Sequence, residues 1–316
     1  MTSLGAASLS AVLYPGKVLA ADAPLSIVAT TGMIADTARA IGGDLDEVKA
    51  LMGPGVDPHA YRQTRTDILA MRRADLILWN GLYLEAQMEE VLGELSTLVP
   101  VRAVAETIPM GTRIAHDDYA DRFDPHVWMD PTLWREVATA IRDAMSEVAP
   151  EHAGTFAANA EAYDAELDAL SAYATGVLAS VPEARRVLVT AHDAFNYFGR
   201  AYGFEVIGIQ GISTESEAGL NRITELVNLL VDRGITAVFV ESSVSDRSIR
   251  ALAEGAAARD HEVRIGGELY SDAMGKPGTY EGTYIGMIDH NATVIAAALG
   301  GDAPVRGMAG KLSVGS

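Results

Sequence analysis

The amino-acid sequence predicts an α/β protein of two similar lobes, each a parallel sheet flanked by helices, joined by one long rigid linker helix. Three observations predict it. Short β-branched runs alternate with longer helical patterns through both halves of the chain. The length, 316 residues, fits two domains of about 150 residues each. Between the two alternating blocks lies a stretch, 151–180, rich in Ala, Glu, Asp, Leu and Tyr and interrupted only by Gly154 and Gly176. That composition favours one continuous helix, which would hold two lobes stiffly where a Gly/Ser linker would not.

The elements follow in order. Residues 25–31 read as the first strand, and 33–42 as a helix with Ile34, Thr37, Ala38 and Ile41 on one face and Gly42-Gly43 as its stop. A strand is expected over 48–52, a short helix over 66–73 and a strand over 76–79, which Asn80-Gly81 ends. Residues 84–95 read as helical and 99–103 as extended. Asp130-Pro131-Thr132 starts a helix through 145, with Asp130 or Thr132 as its cap. After the linker, strands are expected over 186–191, 205–208, 237–241 and 262–265. Helices are expected over 194–202, 217–233, 248–259 and 284–299. The expected organisation is a signal peptide at 1–23, a first lobe at 24–149, the linker helix at 150–181 and a second lobe at 182–316.

Composition narrows the chemistry. Apolar residues make up 49% and charged residues 21%, which suits a chain with a proper core. The net charge of −19 argues against nucleic acid as a partner, because phosphate binding needs dense Lys/Arg patches. There is no cysteine, so zinc fingers, iron–sulfur clusters, thiol nucleophiles and disulfides are excluded. Any transition-metal site must use imidazole and carboxylate. The small and apolar N-terminus, ending in Val18-Leu19-Ala20, reads as a signal peptide, although no Lys or Arg precedes Lys17. A soluble periplasmic protein is expected. With no cysteine at the cleavage point, no lipid anchor is expected either. No later apolar run approaches the ~20 residues that cross a bilayer.

The standard catalytic motifs are absent. There is no P-loop, no Gly-x-Gly-x-x-Gly after a strand, no His-Glu-x-x-His and no nucleophile elbow. Gly211-Ile212-Ser213-Thr214-Glu215 resembles the elbow but lacks its final glycine.

The seven histidines are not equivalent. His59 lies in the turn-rich Gly53–Tyr61 stretch after a strand, His126 just before a helix, and His192 at the end of a strand. Asp272 also follows a strand. Loops at strand ends are where α/β folds place ligands, so each lobe offers two candidates. On residue type alone, the structural reading comes first for each: a hydrogen-bonded loop or surface histidine, or an aspartate that caps or forms a turn. His152, His261 and His290 read as surface or capping residues. His116 sits in the short polar stretch 112–124.

The blocks GVDPHAY, DPHVWMDP, VTAHDAFNYFGRAYG, FVESS and GGELYSDAMG, in this order, resemble the cluster A-I solute-binding proteins of zinc and manganese ABC transporters. The resemblance runs from Ile27 to the final helix. It implies that His59, His126, His192 and Asp272 ligate one divalent ion between the lobes, two ligands from each, with the linking helix restricting lobe motion. It further implies a monomer that passes Zn²⁺ or Mn²⁺, as cargo, to a membrane permease without bond chemistry. The third ligand is His or Glu among members. His192 favours zinc over manganese, because nitrogen-rich tetrahedral sites suit zinc and oxygen-rich ones manganese. Binding both oxygens of Asp272 would keep manganese accessible. Neutral imidazoles are required, so affinity is expected to fall below about pH 6.5. By residue type, Asp57, Asp130, Asp193 and Glu241 could accept the ligands' other ring N–H. Tyr61 and Trp128 read either as walls of the site or as ordinary core. The alternative from another class is a zinc-dependent hydrolase with the same residues, which would need an open metal position. A surface adhesin or metal chaperone on the same fold is the other.

Overall fold

A computed structural model describes residues 23–116 and 121–313. The expected signal peptide, apart from its last residue, lies outside them. The first lobe contains β1 (Leu25–Ala29), α1 (Gly32–Gly42), β2 (Asp46–Ala50), α2 (Arg65–Arg73), β3 (Leu76–Trp79), α3 (Glu89–Leu95), β4 (Val101–Ala103) and α4 (Pro131–Val148). Among the described residues its sheet is four-stranded in the order β2-β1-β3-β4, and every pairing is parallel. Ile27 pairs with both Val48 and Leu76.

Side chains start the helices where the sequence places polar caps. The Thr31 hydroxyl accepts from Ile34 N to cap α1. Thr64 and Asp67 form a reciprocal capping box on α2, a device whose loss costs about 1 kcal/mol. Asp130 caps α4, with Pro131 in the first turn, where its missing N–H costs nothing.

The linker is α5 (Ala153–Ala179), led in by a 3-10 turn over Pro150–His152. Besides Leu178, its buried positions are Phe156, Ala160, Tyr163, Leu167, Leu170, Ala174 and Val177. They recur at alternating spacings of four and three, which is one seam of a helix. The seam packs into an apolar cluster that also holds Ile34, Trp134 and Ile141 from the first lobe and Tyr284, Ile288 and Ile295 from the second. The strut is therefore part of a core shared by both lobes, which gives it more than composition to keep it rigid.

The second lobe contains β5 (Val187–Thr190), α6 (Asn196–Tyr202), β6 (Glu205–Gly208), α7 (Leu220–Arg233), β7 (Ala237–Glu241), α8 (Arg247–Ala257), β8 (Arg264–Leu269) and α9 (Tyr284–Ala298). β5 pairs with β6 and β7 with β8, both parallel, and β5 lies beside β7. A separate apolar cluster including Val189, Leu226, Leu230, Val238 and Leu252 fills its outer side.

Two elements depart from expectation. The segment expected as a helix over 84–95 is helical only from Glu89, after a 3-10 turn at Ala86–Met88. The reason is Glu85. Its buried carboxylate turns inward to accept from Thr30 Oγ1, Asn80 N and Gly81 N, across a turn in which Gly81, Leu82 and Tyr83 all have positive φ. Non-glycine residues there cost on the order of 1 kcal/mol each, offset by these bonds. The strand expected over 262–265 instead continues through Gly266-Gly267 to Leu269. A Cβ on Gly267, at φ 152°, would lie 2.6 Å from Val294, and one on Gly266 would lie 2.8 Å from Phe239. These glycines let β8 press against β7 and α9; they do not stop the strand.

Candidate metal centre

His59 lies in the loop between β2 and α2, His126 in the loop before α4, His192 just past β5 and Asp272 just past β8, and the fold brings all four together. One nitrogen from each of His59, His126 and His192 and one oxygen of Asp272 lie within 4.8 Å of one another, and all four residues are buried. His59 Nε2 is 3.2 Å from His126 Nε2. His126 Nε2 is 3.4 Å from Asp272 Oδ1, and His192 Nε2 is 3.2 Å from Asp272 Oδ2. Tetrahedral ligands about 2.0–2.1 Å from a zinc ion would be spaced about 3.3 Å apart, so these three separations match three of the six edges of such a site. His192 Nε2 and Asp272 Oδ1 are buried without a hydrogen-bond partner. Burying unpaired polar atoms costs free energy, and a cation among them would remove that cost.

Carboxylates orient two of the rings. Asp124 Oδ1 lies 2.7 Å from His126 Nδ1 and also accepts the His126 backbone N–H. Glu241 does the same for His192, with Oε2 2.6 Å from Nδ1 and Oε1 accepting the backbone N–H. Both Nδ1 atoms thus carry hydrogen, so Nε2 is the atom each ring turns towards the common point, with a lone pair there once the ring is neutral. Burial works against charge on His126, but Asp124 and Asp272 outweigh it and push its pKa up to about 9. Burial opposes charge on His192 likewise, and Glu241 and Asp272 raise it well above the ordinary histidine value. Burial drives His59 the other way, down to about 3. Burial disfavours the Asp272 carboxylate, yet the His192 and His126 charges hold it well below the usual range.

The sequence named four carboxylates by type, and only Glu241 holds an imidazole. Asp57 accepts the His59 backbone N–H at 2.9 Å and the Thr214 hydroxyl. Asp130 accepts from Thr132 N as the α4 cap. Asp193 accepts from Gly208 N. Asp124 was missed. The signal was available: Asp-Pro-His occurs at both 57–59 and 124–126, and in both copies the aspartate accepts the histidine's backbone N–H.

Trp128 is fully buried, packs edge-on against His126 and donates from Nε1 to Ser271 O, so it walls the site. Tyr61 instead donates to Asp67 near the α2 cap. Asn80 Nδ2 donates to Pro125 O, tying the His126 loop to the end of β3. His290 is not a surface residue: only 4% exposed, it contacts Glu268 O through Nε2 and packs on Tyr270. His261 is half-buried, with Nε2 2.7 Å from Ile235 O. His152 precedes α5 and packs against Phe156, without a side-chain capping bond. His116 is buried, and part of its stretch, 117–120, lies outside the described residues.

Two lobes sharing a buried imidazole–carboxylate cluster, spanned by one helix, define a bilobed substrate-binding protein of a transport system. The chain belongs to the family described as ZnuA, zinc-uptake complex component A, periplasmic, whose model matches residues 27–298. It is 49% identical over 279 residues to the manganese-binding lipoprotein MntA of Bacillus subtilis, covering 88% of this chain and 91% of that one. It is 47% identical over 286 residues to the zinc-binding protein TroA of Treponema pallidum, covering 90% and 92%. The solved structure of that periplasmic zinc-binding protein superposes with a TM-score of 0.86 over 88% of this chain and 99% of its own. The function is the family's: a metal-binding receptor of an ABC transporter, working outside the cytoplasm. The hydrolase alternative finds no support among these relatives. No helix among the described residues is long and apolar enough to cross a membrane.

Proposed function

We propose that His59, His126, His192 and Asp272 hold one divalent transition-metal ion as cargo, Zn²⁺ in preference to Mn²⁺, for delivery to the permease of an ABC importer. The observation that carries this reading is the convergence of four buried ligand atoms from four separate loops, two of them without hydrogen-bond partners. Residues 24–149 and 182–316 act as the two binding lobes and 150–181 as the strut between them. The nitrogen-rich set and the spacing of its edges favour zinc; the relatives' names include both metals.

The protein works as a periplasmic monomer without a nucleic-acid partner, consistent with its acidic surface. It is not an enzyme. Four protein ligands close the coordination sphere, whereas catalytic zinc keeps a position open for water. Elemental analysis of purified, metal-saturated protein tests the site. One zinc per chain is expected, falling to none in His126→Ala and Asp272→Ala while both variants keep the wild-type circular dichroism spectrum. Full zinc content in either folded variant would overturn the assignment.

A further inference from the structure

Besides bonds of Arg200 to Thr112, Tyr197 to Ile114 and Tyr284 to Asp36, two sets of polar bonds join the lobes beside the cluster. The inner set is buried: Trp128 Nε1 donates to Ser271 O at 2.8 Å, Tyr284 Oη to Trp128 O at 2.8 Å and Tyr197 Oη to Asp124 O at 3.0 Å. Asn196 Nδ2 adds a bond to Asp124 Oδ2. The outer set is made by the loop between β6 and α7. Thr214 Oγ1 donates to Asp57 Oδ2 at 2.6 Å, and Gln87 Nε2 donates to Glu215 Oε1 at 2.6 Å. Thr214 is half-buried and Glu215 exposed, so water competes for the outer bonds as it cannot for the inner ones.

Asp57 links the outer set to the cluster. Its Oδ2 takes the Thr214 hydroxyl from the second lobe, while its Oδ1 takes the backbone N–H of His59 in the first. The other two histidines have a carboxylate on the ring itself. His59 is steered through its backbone, and that steering depends on a residue from the opposite lobe.

We propose that Thr214 is a positioning residue of the metal centre: its hydroxyl, through Asp57, holds the His59 arm against the second lobe, and breaking that bond admits release of the ion. This role rests on the four-ligand reading above. It makes His59 the ligand that leaves first when the lobes part, with the inner bonds as the hinge and the outer pair as the latch.

Chelator-driven release of Zn²⁺, followed by stopped flow on the full chain, tests the proposal. T214V keeps the shape of the side chain and removes the donor, and it should release zinc about tenfold faster than wild type, the effect of losing one charge-assisted hydrogen bond. T214S keeps the hydroxyl and should stay within about twofold of wild type. The ion-free melting temperatures of all three should agree, which a merely structural role for Thr214 would not give. If T214V fails to fold, T214A removes the same donor without adding bulk and is read the same way. Release from the hydroxyl-free variant at the wild-type rate, or T214S as fast as T214V, would overturn the latch while leaving the site standing. A wild-type protein that holds no zinc would overturn both.

Discussion

The chain carries the tripeptide Asp-Pro-His twice, at 57–59 and 124–126, and the two copies do different work. Both aspartates accept the histidine's backbone N–H, which sets the local turn identically. The difference lies in what the rest of the fold adds. Around His126, Asp124 also takes the ring, Tyr197 and Asn196 bond Asp124, and Asn80 bonds Pro125. Around His59, the second oxygen of Asp57 goes to Thr214 across the lobe boundary. One loop is a pillar fixed by buried groups, and the other an arm held by a partly solvated one. A motif therefore fixes local geometry, while stiffness comes from tertiary partners.

Substituting the two aspartates identically would break this contrast most sharply. Asp124→Asn should weaken zinc binding about a hundredfold, at the upper end for loss of a carboxylate behind a metal-bound histidine. Asp57→Asn should weaken it less than about tenfold, because the ring of His59 does not depend on that carboxylate. Competition titration with a chelating dye measures both, and equal losses would dissolve the distinction between pillar and arm.

The support beneath the pillar gives the next effect. Burial raises Glu85 to about 7 in the folded protein, above its ordinary unfolded value. A carboxyl group shifted that way binds its proton more tightly when folded, so the ion-free protein should lose stability as pH rises from about 4.5 to 7, on the order of 3 kcal/mol. Denaturant unfolding across that range should show the loss in wild type and a clearly smaller one in Glu85→Gln, where Asp46, raised by burial to about 6, still titrates. A variant with the same slope would show that Glu85 is not the group responsible.

Proton release gives the smallest signal. In the ion-free protein near neutral pH, His126 and His192 are both held above the ordinary histidine range. Each must shed its proton to bind, whereas His59, near 3, is already neutral. A divalent ion thus replaces two protons, one from each of those histidines, leaving the charge of the buried cluster unchanged. Zinc affinity should therefore weaken as pH falls from about 9, a higher threshold than the 6.5 of an unperturbed imidazole. Calorimetry in buffers of different ionisation enthalpy counts the protons. Release of none at pH 7 would contradict the carboxylate pairing of His126 and His192.

Much of this was legible in the sequence, and what was not has a physical reason. The seam of α5 repeats along the chain, so periodicity alone exposes it. The four candidate ligands follow from the resemblance of their sequence blocks to the family's, each in a loop that follows a strand. Glu241 was among the expected ring partners, and it ends β7 beside the strand that carries His192. Thr214 and Asp57 are 157 positions apart, and nothing local marks a threonine in a turn as the partner of a distant aspartate. Glu85 was read as part of a helix because its neighbours favour one; its inward turn follows from the unsatisfied amides at Asn80 and Gly81 that it caps. The strand expected over 262–265 did not extend through Gly266 and Gly267 because their close packing on Phe239 and Val294 is a tertiary fact.

The central claim is that four residues from the two lobes share one ion. Anomalous diffraction from zinc-loaded crystals, recorded on both sides of the zinc edge, tests it most directly. A single strong peak is expected about 2.0–2.2 Å from Nε2 of His59, His126 and His192 and from a carboxylate oxygen of Asp272. A peak elsewhere, or one with any of these four beyond bonding distance in the closed form, would contradict it.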